Sequence, residues 1–199
     1  MIPVTPQPEP SNFDIRVRQP GLQWMNEQGL DLSKPKPQGV TLEPFWQDCL
    51  EELHSAYDGI CAYVCVYIER VTGTPSADHF VPKSGDLNKA YEWSNYRLAC
   101  QRMNARKNKY DDVLDPFSLG SNTFELELFS GRIYPSRSLS SADVQAAQAT
   151  ILRLKLDDPD CRELRTRYFN AYINDEISVK WLQKHSPFVW QEAQRQNLL

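Results

Sequence analysis

Apolar residues recur along this chain with periods that change from segment to segment, and the changes mark out its elements. Phe45, Trp46, Cys49, Leu50, Leu53 and Tyr57 fall at helical spacing. They predict a helix over Pro44 to Tyr57, with Thr41 as cap and Asp58-Gly59 as stop; His54 within it reads as structural or exposed rather than catalytic. Ile60, Ala62, Val64, Val66 and Ile68 then alternate, Val71-Thr-Gly-Thr-Pro has turn chemistry, and Ala77 to Pro82 follows. This reads as a β-hairpin over 60–82. Ser84 to Glu92 is polar and predicts a loop, and Ser94 to Lys107 predicts a helix that Ser94 could cap. Two strands and a helix in that order make a ββα unit.

Further on, Phe124-Glu-Leu-Glu-Leu-Phe alternates strictly and Ser130-Gly131 turns it into Arg132-Ile-Tyr, a second hairpin. Val144, Ala147, Ile151, Leu152 and Leu154 place a helix over Ser141 to Leu156. Asp157-Asp-Pro-Asp breaks it, and Pro159 opens another reaching Ile173. Lys180 to Asn197 reads as two helical pieces interrupted near Pro187. At the other end, Pro3, Pro6, Pro8, Pro10, Pro35 and Pro37 remove backbone donors, so residues 1–40 are expected to form an extended arm. Its Phe13, Leu22 and Trp24 suggest that it lies against the body or a partner. The predicted class is α+β: the arm (1–40), a ββα core with its preceding helix (41–115), and a hairpin with C-terminal helices (116–199).

A chain of 199 residues suffices for one domain of ordinary size, or a small core with additions. The longest apolar run, Ile60 to Ile68, is too short to cross a bilayer. The opening Met-Ile-Pro-Val-Thr-Pro lacks the pattern of a secretion signal, so a cytoplasmic protein without membrane contact is expected. Five cysteines (Cys49, Cys61, Cys65, Cys100 and Cys161) are an odd number, which argues against a disulfide framework. Net charge is −4, yet Arg70 to Tyr110 carries eight basic residues against three acidic ones. A positive segment in an acidic chain is a plausible phosphate footprint.

That segment holds the candidate chemistry. Asp78 and His79 stand side by side in the predicted second strand, Asn95 follows 16 residues after the histidine, and Asn104 comes 9 residues later. Cutting a phosphodiester needs a base for water, a Lewis acid for the charge on phosphorus, and a stabilised leaving oxygen. His79 has the pKa range for the first task. A hard divalent cation, Mg²⁺ or Mn²⁺, serves the other two and takes oxygen ligands such as Asp78 and Asn104 offer. Adjacent strand residues point to opposite faces, so the strand must twist or end for Asp78 and His79 to share one phosphate. Asn95 is expected to hold the imidazole ring rather than bind metal. Lys83, Arg102, Arg106 and Lys107 are the expected phosphate contacts.

Ala77-Asp-His-Phe-Val-Pro-Lys-Ser, followed by Trp93-Ser-Asn-Tyr-Arg-Leu-Ala-Cys-Gln-Arg-Met-Asn-Ala-Arg-Lys-Asn, resembles the HNH (ββα-metal) endonucleases. Within that superfamily it is similar to bacterial anti-phage defence nucleases of the Septu type, and the match spans residues 58–110. The resemblance implies metal-dependent cleavage of DNA to a 5′-phosphate and a 3′-hydroxyl. It casts Asp78 and Asn104 as metal ligands, His79 as general base and Asn95 as the structural asparagine. Many relatives also carry two Cys-x-x-Cys pairs that bind zinc. Cys61, Cys65 and Cys100 are present here, but Val64 and Met103 stand at two ligand positions, and a thioether is a poor zinc ligand; a structural zinc is not expected. By analogy with defence systems, the arm and the C-terminal helices would dock an ATPase subunit or a second copy. The alternative reading is a catalytically inactive nucleic-acid-binding or scaffolding subunit.

Overall fold

Phe13, Val17, Gly21 and Met25 fall four residues apart and are all buried, so the chain coils there instead of extending. The computed structural model describes all residues from Met1 to Leu199. A π-helical turn, Asp14–Arg18, runs without a break into α1 (Gln19–Glu27), and Pro20, which has no N–H to donate, sits just past the junction. Residues 13–27 of the expected extended arm are helical instead, while 1–10 and 35–37 carry no helix, strand or turn. Phe13 is the anchor: its ring meets Trp93 and Tyr96 edge-on at 5.6 and 5.9 Å. Leu22 is exposed. Gly21 is required by close approach, because a Cβ there would lie 2.3 Å from the Tyr91 ring.

The chain divides into two compact units. The first, Pro6–Gly59 with Ile68–Asp111, contains α1 and the next four elements. A 3₁₀ turn, Phe45–Cys49, leads into α2 (Leu50–Ala56), close to the predicted helix, although Thr41 does not cap it. Asp58 and Gly59, both with positive φ, stop it. His54 is buried with Nε2 2.9 Å from the Ile68 carbonyl, a structural role. β1 (Pro75–His79) pairs antiparallel with β2 (Tyr96–Cys100), His79 opposite Tyr96 and Pro75 opposite Cys100. α3 (Gln101–Lys107) follows β2 without a linker.

Two strands and a helix thus occur in order, but the strands differ from the predicted ones. The partner of β1 comes after it, from residues expected to begin a helix at Ser94. Tyr96, Leu98 and Ala99 are almost fully buried in the sheet, and this packing overrides their helix-compatible composition.

The second unit comprises Met1–Thr5, Ile60–Tyr67 and Asp112–Leu199. Ile60–Tyr67 is not a strand. The Cys61 N–H donates to the Val66 carbonyl and the Cys65 N–H to the Cys61 carbonyl, with Cys65 left-handed at φ 57°. Every residue from Cys61 to Val66 is buried, so the apolar alternation reflects a buried turn rather than one sheet face. The second hairpin forms as predicted: β3 (Phe124–Glu127) pairs with β4 (Arg132–Pro135), Leu126 opposite Ile133. α4 (Ser141–Leu154) is capped by the Ser140 side chain. α5 (Pro159–Ile173) is capped by Asp158, with Pro159 in its first turn. α6 (Val179–His185) and α7 (Pro187–Arg195) break at Pro187. Buried Arg165 on α5 donates to the Gly131 carbonyl at 2.9 Å and the Leu156 carbonyl at 2.7 Å, tying the hairpin turn to the α4–α5 junction. The fold is α+β with two small antiparallel sheets. No helix is long and apolar enough to cross a membrane.

Candidate active site

β1 ends at His79, and the cause lies in α3. Lys107 is fully buried, and its ammonium donates to the His79 carbonyl at 3.0 Å and the Phe80 carbonyl at 2.9 Å. Successive carbonyls of a regular strand point in opposite directions. Two of them on one ammonium mean that the extended geometry has been abandoned. The turn gives Asp78 and His79 a common cleft of about 590 Å³, which Asn104 and Lys83 also line. Lys107 Nζ lies 3.6 Å from Asp78 Oδ2, so the ammonium is a built-in counter-charge for a carboxylate that is 1% exposed. Lys107 is therefore not the phosphate contact expected from sequence. It lies four residues after Met103, on the face of α3 that packs inward.

His79 is held on three sides. Its Nε2 is 2.8 Å from the Ala90 carbonyl, which can only accept, so Nε2 carries the proton and Nδ1 keeps the lone pair. The ring stands edge-to-face with Trp46 at 4.7 Å and with Tyr96 at 5.0 Å. The Tyr96 hydroxyl donates to the same Ala90 carbonyl at 2.9 Å, which fixes the acceptor as well as the ring. Burial lowers the His79 pKa to about 3, and the neighbouring Lys83 charge pushes the same way. The imidazole is thus a neutral base with one oriented lone pair.

Asn104 on α3 donates from Nδ2 to Ser76 Oγ at 3.1 Å and more weakly to the Ala77 carbonyl at 3.4 Å. Those bonds fix the amide and leave Oδ1 as its oxygen toward a ligand. Asp78 and Asn104 therefore present hard oxygen donors to one cleft, which suits a cation such as Mg²⁺ or Mn²⁺.

Asn95 makes no hydrogen bond to the imidazole. Its Oδ1 accepts from the Val81 N–H at 2.8 Å, and its Nδ2 donates to the Val81 and Lys89 carbonyls at 3.0 and 2.9 Å. It buckles the loop between β1 and β2 and positions Ala90, the residue after Lys89. Ring orientation, expected of Asn95, falls to the Ala90 carbonyl and Tyr96.

Lys83 has its ammonium 3.7 Å from the centre of the Trp46 ring. Burial lowers its pKa to about 8, opposed by Asp78 and assisted by Lys36. Arg102 is exposed and Arg106 half-buried on α3, and neither lines the cleft. Lys36 and Lys109 do, and neither was expected from the motif. The only signal for Lys36 was its place in Lys34-Pro-Lys-Pro. Trp46 belongs by its spacing to the packed stripe of the predicted helix; its contact with both His79 and Lys83 depends on a fold that places α2's approach beside β1.

All five cysteines are free thiols, and no three His, Cys, Asp or Glu side chains gather as a metal cluster. Met103 and Val64, at two of the zinc-pair positions, are buried apolar residues. No protein-family model matches the chain, and no curated protein matches it.

Proposed function

We propose that this protein is a metal-dependent endonuclease of the HNH (ββα-metal) kind that hydrolyses phosphodiester bonds in DNA. The observation that carries the reading is the convergence of Asp78, His79 and Asn104, distant in sequence, on one cleft in which His79 is a neutral, oriented base. Asp78 and Asn104 would hold a divalent cation, which supplies Lewis acidity for the developing phosphorane charge and the leaving oxygen when bound. His79 takes a proton from water at Nδ1, while Nε2–H stays on the Ala90 carbonyl. Trp46 and Tyr96 keep the ring from turning. Anti-phage defence alongside an ATPase subunit extends this reading by resemblance alone.

Purified protein with Mg²⁺ or Mn²⁺ should nick or cut supercoiled plasmid, and EDTA should stop it. Asn104→Ala is expected to raise the Mg²⁺ concentration for half-maximal cleavage by roughly 10–100-fold, the range typical of weakened metal sites. Salt-sensitive DNA binding with no cleavage under either metal would support the inactive binding subunit instead.

A further inference from the structure

The segment before α2 contributes to the cleft, although no catalytic motif lies in it. The Lys36 N–H donates to the Ser84 carbonyl at 3.2 Å, and Asn88 Nδ2 donates to the Leu32 carbonyl at 2.9 Å. These bonds fasten residues 32–36 along the loop that carries Lys83. Pro35 and Pro37 flank Lys36, and a residue before proline is confined to extended backbone. The Lys36 ammonium is held in turn by the Val40 carbonyl, so the charge sits at a fixed place on the cleft wall.

Lys83 faces the same cleft from its own loop and rests on Trp46. It makes no hydrogen bond or ion pair. The Lys36 charge disfavours that of Lys83, while Asp78 favours it. Asp78, the cleft's carboxylate, already has the Lys107 ammonium 3.6 Å away. Two half-buried ammonium groups lining one cleft, Lys36 anchored by the Val40 carbonyl and Lys83 resting on the Trp46 ring, offer an anion two fixed points of attachment.

We propose that Lys36 and Lys83 form a two-cation clamp for a backbone phosphate of the bound nucleic acid, making Lys36 part of the substrate site. This deepens the nuclease reading and rests on it only for the identity of the anion.

The test separates the two. Binding of a short fluorescein-labelled DNA duplex is measured by anisotropy in EDTA across a sodium chloride series, so that no cleavage occurs. Lys36→Ala and Lys83→Ala should each weaken binding roughly 5–30-fold at low salt and reduce the salt slope by about one. Lys36→Arg should restore both. Lys34→Ala, which removes an exposed lysine paired with Asp31 outside the cleft, should change neither. A Lys36→Ala variant within about twofold of wild type and with the same slope would overturn the clamp, as would absence of salt-dependent binding by wild type. Plasmid cleavage by the same wild-type preparation reports on hydrolysis independently. Clamp-dependent binding without cleavage sinks the nuclease reading alone, and cleavage with unchanged Lys36→Ala binding sinks the clamp alone.

Discussion

His79→Ala is expected to lower plasmid cleavage by roughly 10²–10⁴-fold, the contribution typical of a positioned general base. The variant should still fold, because the Ala90 carbonyl keeps its bond from the Tyr96 hydroxyl. Its stability loss should be the packing of one ring against Trp46 and Tyr96, about 1–3 kcal/mol. The same substitution should also alter the response to acid. His79 titrates at about 3 in the folded protein, against 6.5 as the ordinary value. Between those limits the unfolded chain binds a proton that the folded chain refuses. In the metal-free protein this stabilisation is therefore fully present above pH 6.5 and is lost as the pH falls toward 3, amounting to several kcal/mol. Urea midpoints measured from pH 7 to pH 4 should fall more steeply for wild type than for His79→Ala. Equal cleavage by the two proteins would remove His79 from the chemistry.

Lys107→Met should be the most destabilising single change in the unit that holds the cleft. Methionine matches the length of the lysine stem but offers no donor to the His79 and Phe80 carbonyls, and it removes the buried charge opposite Asp78. Breaking a buried pair from one side costs about 3–5 kcal/mol, since the remaining carboxylate loses its counter-charge. The urea midpoint should drop accordingly. Lys107→Arg should not rescue it, because a longer planar guanidinium does not fit a site shaped around a point ammonium. A surface phosphate contact behaves differently: Lys107→Met would then weaken DNA binding and leave stability near wild type.

Lys107 also shows what sequence reading could and could not reach. Arg102, Arg106 and Lys107 form one basic cluster by composition, and only the inward face shared with Met103 distinguishes the buried cation from the other two. Elements whose ends are set by local chemistry were legible. The Asp158 cap with Pro159 fixed the start of α5, and Pro187 separated α6 from α7. Elements set by distant pairing were not. β2 exists because Tyr96–Cys100 meets Pro75–His79 across a long loop, and nothing within Tyr-Arg-Leu-Ala-Cys announces that partner. The run from Ile60 to Ile68 alternates like a strand, but a turn buried on all sides gives the same apolar pattern. Asp78, His79 and Asn104 were legible as a set because their chemistry is specific. Lys36 and Trp46 were not, since their part in the cleft arises only when separate segments fold onto β1 and its loop.

The most direct measurement is anomalous diffraction from crystals of the protein grown with Mn²⁺. We expect a strong peak in the cleft with oxygens of Asp78 and Asn104 among its ligands, and its loss in Asp78→Ala crystals. A manganese ion bound elsewhere on the protein, with that cleft holding none at saturating metal, would contradict the proposed hydrolytic centre.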